Sequence, residues 1–351
     1  MRGIRKMKNR KLNIFIFCSA FIICFGCALL FAWQKKIPLE FWDSVLPMPQ
    51  GQPVSVLIRP NQPVAEIAKT FYNEGIMTDS SRDFAHWLIK FKIDRKIIPG
   101  KYSLIPSSAW DVARQMRSAV PTSETMTIVP GTNIYNFAYI FLLPDAAEES
   151  LNSGDAIGEI LNDSLYPKQM LEFLPQTKEG RIAFLLPDTY LTAELSPKEL
   201  IHAASEAWCG KVGQQISNSP EEAKKTAIIA SLIEREALWD EERPKIAGVI
   251  YNRLKKNMLL QIDAAVVYAH LIKGRRLTRV LFKDLEIDSP YNLYKYGGLT
   301  PEPICVPSLL SWQAALNPEN HDLLYYVAEK DGHHIFSRTF AGHQQNIKKV
   351  R

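Results

Sequence analysis

The stretch ASLIEREALWDEERPKIAGVIYNRL, Ala230 to Leu254, decides how the chain is read. It sits inside a segment, Pro220 to His270, whose apolar residues recur with the period of a helix. Two glutamates, Glu234 and Glu236, lie one residue apart in it. At about 100° per residue, with Ile228 at the origin, the stripe Ile228, Ile229, Leu232 and Ile233 is centred at about 70°. Glu236 then falls at about 80°, inside the stripe, and Glu234 at about 240°, beside Ala230 and Ala237. Trp239, at about 20°, lands on the same face as Glu236. The phase predicts one carboxyl group aimed at the protein interior and one turned away.

A carboxylate on an apolar face is costly to ionise, so its pKa rises, and an aromatic neighbour adds to the desolvation. That is what a general acid needs if it is to hold its proton near neutrality and pass it to a leaving oxygen. The same position also suits a structural acid paired with Arg243 or Arg253. Residue pattern alone leaves both readings of Glu236 open. Glu234 is expected to be solvated or to stand behind the acid as its partner. Asp240, Glu241 and Glu242 read as a charged turn, with Pro244 opening the next helix.

Upstream, VSVLIR (Val54 to Arg59) reads as a strand and Val64 to Asn73 as a helix closed by Gly75. A second helix spans Arg82 to Lys92, Pro99 to Ile105 is a turn entering a strand, and Ser107 to Ala119 is a helix with a double-serine cap. The result is a β-α-α-β-α module over residues 54–120. A larger part, 121–351, begins with a strand at Thr125 to Gly131. Helices are expected near Ile134 to Leu143, Ala156 to Leu165 and Pro197 to Trp208. Between them Glu179 to Leu191 is an apolar run ending in a Pro-Asp turn. Leu323 to Phe340 reads as a β-hairpin turning at Asp331-Gly332. The fold class is α+β.

The first eleven residues carry six cations, Arg2, Arg5, Lys6, Lys8, Arg10 and Lys11, and no acid. Removing those six from the chain's 42 cations leaves 36 against 37 acids, so the net charge of +5 belongs to residues 1–11 alone. A phosphate-backbone binder carries its positive charge on the folded part, so nucleic acid is excluded as a partner. Residues 12–33 contain no charge and have the length of a bilayer-spanning helix. Cations before the span place the N-terminus in the cytoplasm. The apolar run is too long for a cleaved signal peptide, and Gly26-Cys27 fits a lipoprotein site badly. A Pro-rich linker, 34–53, would follow the anchor. Cys209 and Cys305 are the cysteines beyond the span, and their pairing is left open. No H-E-x-x-H and no paired-cysteine metal motif occurs, and neither metal nor cofactor is expected.

The segments ASLIERE, ERPKIAGVIYNRLKKNMLLQID, DSPYNLYKYGGLTPEPI and GHHIF, in that order, resemble the endolytic murein transglycosylase (MltG/YceG-like) family. LLPDTY fits the stretch before that family's catalytic domain, and the β-α-α-β-α module is similar to its LysM-like subdomain. The resemblance implies an enzyme anchored by a single pass in the bacterial inner membrane, with its C-terminal part outside the cytoplasm. It would cleave the β-1,4 bond between N-acetylmuramic acid and N-acetylglucosamine in nascent peptidoglycan strands, leave 1,6-anhydromuramoyl ends, and work beside peptidoglycan synthases. One catalytic glutamate suffices there, and in this register it is Glu236. Asn252, Arg253, Gln261, Asp263, Tyr291 and Asn292 are implied contacts to sugar hydroxyl and acetamido groups, each of which could equally be satisfying loop carbonyls. His334 and His343 read as hairpin and packing residues. The chain departs from the family in having Ala237 where a threonine usually follows the acid, and Ile262 and Ala264 around the Gln-x-Asp stretch. Two other expectations stand beside the enzyme: a non-catalytic peptidoglycan-binding or division-scaffold protein, and a hydrolase that consumes water.

Overall fold

The computed structural model describes residues 24–26, 45–59, 62–141, 153–192, 195–216 and 219–350. The basic tip and, apart from 24–26, the span expected over 12–33 lie outside the described residues. Among the described residues no helix is long and apolar enough to cross a membrane. The chain divides into two compact units, Met1–Pro121 and Thr122–Arg351.

In the first unit β1 (Val54–Ile58) pairs antiparallel with β2 (Gly100–Leu104), from Val54 opposite Leu104 to Ile58 opposite Gly100. Helices α1 (Val64–Asn73) and α2 (Ser81–Lys90) lie between the strands in sequence, and α3 (Ala109–Ser118) follows β2. The punctuation is local. Gly75 leaves α1 at φ +71°, where a side chain would be strained. Ser80 caps α2 by accepting from the Asp83 N–H at 3.3 Å, and Ser108, the second of the serine pair, caps α3 through the Asp111 N–H at 3.2 Å. The core gathers Val56, Ile58, Phe71, Phe84, Leu88, Tyr102 and Leu104, with the Phe71 and Phe84 rings 5.1 Å apart. Part of the expected linker is tied down here, because the buried Arg114 guanidinium donates to the Leu46 and Pro47 carbonyls.

In the second unit β3 (Glu124–Thr127) pairs antiparallel with β4 (Thr189–Thr192). β4 has four residues and follows the Pro187-Asp188 turn directly, too short a run to show strand alternation in the sequence. The helices expected near Ile134 and Ala156 are instead short turns of α and 3₁₀ helix, among them Ile134–Phe137 and Ala138–Phe141. Then come α4 (Pro197–Lys211), α5 (Pro220–Glu236), α6 (Arg243–Lys255), α7 (Asp263–Ile272) and α8 (Leu309–Leu316). The hairpin of β5 (Tyr325–Ala328) and β6 (His334–Ser337) turns at Gly332, φ +88°, and α9 (Phe340–Val350) closes the unit where the hairpin alone was expected.

α5 is the centre of this unit. Every residue from Ala227 to Ile233 is buried, so the helix has no solvent face over two turns. Trp208 of α4 and Trp312 of α8 pack at 5.2 Å, and Phe184 lies 4.9 Å from Trp208. The mixed α/β architecture with small two-stranded sheets thus places the C-terminus of one buried helix beside a hairpin.

Candidate active site

α5 stops at Glu236. Ala237 takes an extended conformation after its N–H closes the last turn on the Ile233 carbonyl. The helix ends before Trp239, so Trp239 does not share a helical face with Glu236. Its exposed ring stacks on His333 at 4.7 Å and its Nε1 donates to the Asp331 carbonyl. The aromatic beside the acid comes from β5: the Tyr326 hydroxyl donates to Glu236 Oε2 at 2.8 Å. Burial pushes the half-buried Glu236 carboxyl up, the Tyr326 hydrogen bond pulls it down, Asp263 pushes it up, and His334 and Arg235 pull it down. The balance lies above the ordinary carboxylate range. Tyr326 is raised too, by burial first and then by the neighbouring Glu236.

Glu234 is not solvated. Its Oε2 accepts from the Ser308 N–H at 2.8 Å, the Ser308 hydroxyl at 2.5 Å, the Ser311 hydroxyl at 2.7 Å and Arg243 Nη1 at 3.3 Å. Ser308 is the N-cap of α8, so Glu234 ties the end of α5 to the start of α8. Phase turned it away from the apolar stripe correctly, but α8 lies on that side as well. The Arg243 pairing weighed for Glu236 belongs to Glu234.

Of the residues implied as sugar contacts, three are spent on backbone. Asn252 Nδ2 donates to the His321 and Leu323 carbonyls at 2.7 and 3.1 Å. Arg253 donates from Nε to the Leu324 carbonyl at 2.6 Å and from Nη1 to the Leu259 and Leu260 carbonyls. Asn292, fully buried, donates to the Leu285 and Ile287 carbonyls and accepts from the Tyr294 N–H. Tyr291 is buried edge-on against Tyr268. Gln261 and Asp263 are exposed. Gln261 holds φ +53°, a left-handed backbone rare for a non-glycine residue, while its N–H bonds the Leu293 carbonyl. Asp263 opens α7 and accepts from the Tyr294 hydroxyl at 2.5 Å. His334 reaches the same place from β6, its ring 5.2 Å edge-on from Tyr326 and its Nδ1 2.6 Å from Glu242 Oε2. His343 stacks on Tyr325 on the other side of the hairpin.

Glu236, Tyr326, His334, Asp263, Tyr294 and Arg253 therefore converge from α5, the hairpin, α7, one loop and α6. A model of the YceG-like family matches residues 56–349. The chain belongs to the YceG-like family. Among its relatives, the endolytic murein transglycosylase of Bacillus subtilis is 31% identical over 315 residues, covering 84% of this chain and 84% of that one. An endolytic murein transglycosylase of Streptococcus pneumoniae is 29% identical over 338 residues, which are 87% of this chain and 60% of its relative. The crystal structure of a yceG-like protein from Listeria monocytogenes, 26% identical, superposes with a TM-score of 0.53 over 85% of this chain and all of that one.

Within this YceG-like chain the sequence did not mark Tyr326, Tyr294 or Glu242. The hairpin pattern tells that Tyr325 and Tyr326 face opposite ways, but not which of them meets the acid. Cys209 and Cys305 are both buried free thiols.

Proposed function

We propose that this chain is an endolytic lytic transglycosylase that cleaves the β-1,4 bond between N-acetylmuramic acid and N-acetylglucosamine in peptidoglycan strands, with Glu236 as its acid and base. The observation that carries this reading is a half-buried carboxyl group held above its ordinary pKa at the end of a rigid buried helix. Protonated Glu236 gives its proton to the glycosidic oxygen as the bond from that oxygen to C1 breaks. The resulting carboxylate takes the proton of the muramoyl 6-hydroxyl as O6 bonds to C1, which closes the 1,6-anhydro ring and regenerates the acid. No water is consumed, so the second carboxylate of an ordinary glycosidase is not needed. The exposed Gln261 and Asp263 are the sugar contacts in this reading, while Asn252, Arg253 and Asn292 shape the loops around them.

The same reading makes residues 12–33 a single inner-membrane anchor with the folded units outside the cytoplasm, supported by the cations before the span. The β-α-α-β-α unit is a LysM-like module that holds the strand, and peptidoglycan synthases supply it. The test is digestion of purified glycan strands by the detergent-solubilised full chain, with products weighed by mass spectrometry. Anhydro ends are expected, falling about a thousandfold or more in Glu236→Gln because the proton transfer itself is lost. Products heavier by one water would make the chain a hydrolase, and intact strands that still bind would make it a scaffold.

A further inference from the structure

We propose that Tyr326 is the positioning residue of the acid: its hydroxyl fixes Glu236 Oε2 as the accepting oxygen and leaves Oε1 to carry the proton to and from the glycan. The inference rests on the transglycosylase reading above. A carboxyl group has two equivalent oxygens, and only one can face a scissile bond. The 2.8 Å hydrogen bond from Tyr326 makes them inequivalent, because an oxygen already accepting a donor is the poorer place for the acid proton. When Glu236 gives up its proton, the same donor meets a full negative charge, so the bond strengthens as the reaction proceeds.

The hydroxyl is itself held in place. His334 and Phe336 lie 5.2 and 5.9 Å from the Tyr326 ring on the same face of the hairpin. Two and three residues earlier, the chain is fixed by Arg253 on the Leu324 carbonyl and Asn252 on the Leu323 carbonyl. These α6 side chains thereby set where β5 begins. Ala237, almost fully buried, brings only a methyl group to the position after the acid. The hydroxyl beside Glu236 comes from β5 instead. The other charged or titratable groups that Glu236 and Tyr326 feel are Arg235 of α5, Arg253 of α6, Asp263 of α7, Tyr294, and His334 with Glu242 behind it. Among the described residues, Tyr326 is the one that donates directly to the carboxyl group.

The experiment compares the full chain with Tyr326→Phe and with 3-fluorotyrosine at 326. In Tyr326→Phe we expect kcat for anhydro-end formation to fall about ten- to a hundredfold with KM within about twofold. Loss of a donor to the carboxylate also moves the alkaline limb of the pH profile to higher pH, and the stronger donor fluorotyrosine moves it to lower pH. A merely structural tyrosine would move neither limb. In parallel, the ¹³C resonance of the Glu236 carboxyl is titrated in the wild type and both variants. Should the wild type form no anhydro ends, the reaction assignment fails, while the titration still decides whether Tyr326 governs the carboxyl. An unshifted titration and an unchanged limb in Tyr326→Phe overturn the proposal, and the fluorotyrosine form keeps the packing should the Phe variant not fold.

Discussion

Two glutamates one residue apart end up with opposite duties because of what packs around each. Glu234 has four donors on one oxygen, Arg243 among them, and serves to tie α5 to α8. For Glu236 burial first, and the nearby acid Asp263 after it, penalise ionisation by more than the Tyr326 donor relieves it. A carboxyl whose folded pKa exceeds its unfolded value of about 4.3 binds more protons folded than unfolded as pH rises past that value. Stability from this group therefore declines from about pH 4.3 up to the elevated folded pKa, and above that the full penalty remains. Glu236→Gln removes the charge but keeps an oxygen for Tyr326. The variant should melt at the same temperature as the wild type near pH 4 and at a higher one at pH 8. Paired thermal melts at the two pH values check this, and equal melting temperatures at both would mean the carboxyl carries no penalty.

At the scale of elements, the close approach of α6 to the loop before β5 controls how the hairpin meets the acid. A Cβ on Gly248 would run into the Glu319 carbonyl oxygen and lie 2.6 Å from His321 Nε2. That loop is pinned there by the Glu319 N–H on the Pro244 carbonyl and by His321 Nε2 donating to the Lys245 carbonyl, with Nδ1 accepting from the Leu323 N–H. Alanine gains about 1 kcal/mol of helix propensity over glycine, but forcing backbone apart in a packed contact costs about 1–3 kcal/mol. The clash wins because its partner is main chain. Gly248→Ala should lower the melting temperature by several degrees, whereas Gly210→Ala, at an exposed α4 position with nothing within 4 Å, should hold or raise it. Calorimetry on the two variants separates packing from propensity.

The elements also mark what was legible in the sequence. Strongly punctuated pieces were: α1 has the expected bounds because Gly75 ends it, and the hairpin turns at the expected Gly332. Glu236 could be separated from Glu234 by phase, since Ile229, Leu232 and Ile233 define a face. The fate of Glu234 could not, because phase assumes a helix with one buried side and α5 is buried all round from Ala227 to Ile233. Nor could the stop at Glu236 be read, since Ala237 and Leu238 are good helix formers and the break comes from tertiary packing: Leu238 lies against Gly332 of the hairpin. Tyr326 was invisible for the same reason, being about 90 residues from the acid it touches.

For the whole molecule, the two units rest on two cores with no residue in common: one runs from Val56 to Met116 and the other from Met126 to Ala315. A small core is the more vulnerable, because a short domain buries a smaller fraction of its surface. Phe71 is fully buried at the middle of the first core, its ring tilted against that of Phe84. Removing its ring leaves a cavity and costs about 3–5 kcal/mol, a large part of the roughly 5–15 kcal/mol that holds a domain folded. For a unit of this size each kcal/mol is worth about 4–8 °C, so Phe71→Ala should drop the melting transition of the Met1–Pro121 unit by more than about 12 °C. The transition of the Thr122–Arg351 unit should stay where it is, because α5, α8 and the hairpin that set Glu236 draw no residue from the damaged core. Scanning calorimetry reads both transitions in one trace. If a single transition moves as a whole, the two cores fold as one cooperative body and the acid's geometry depends on both.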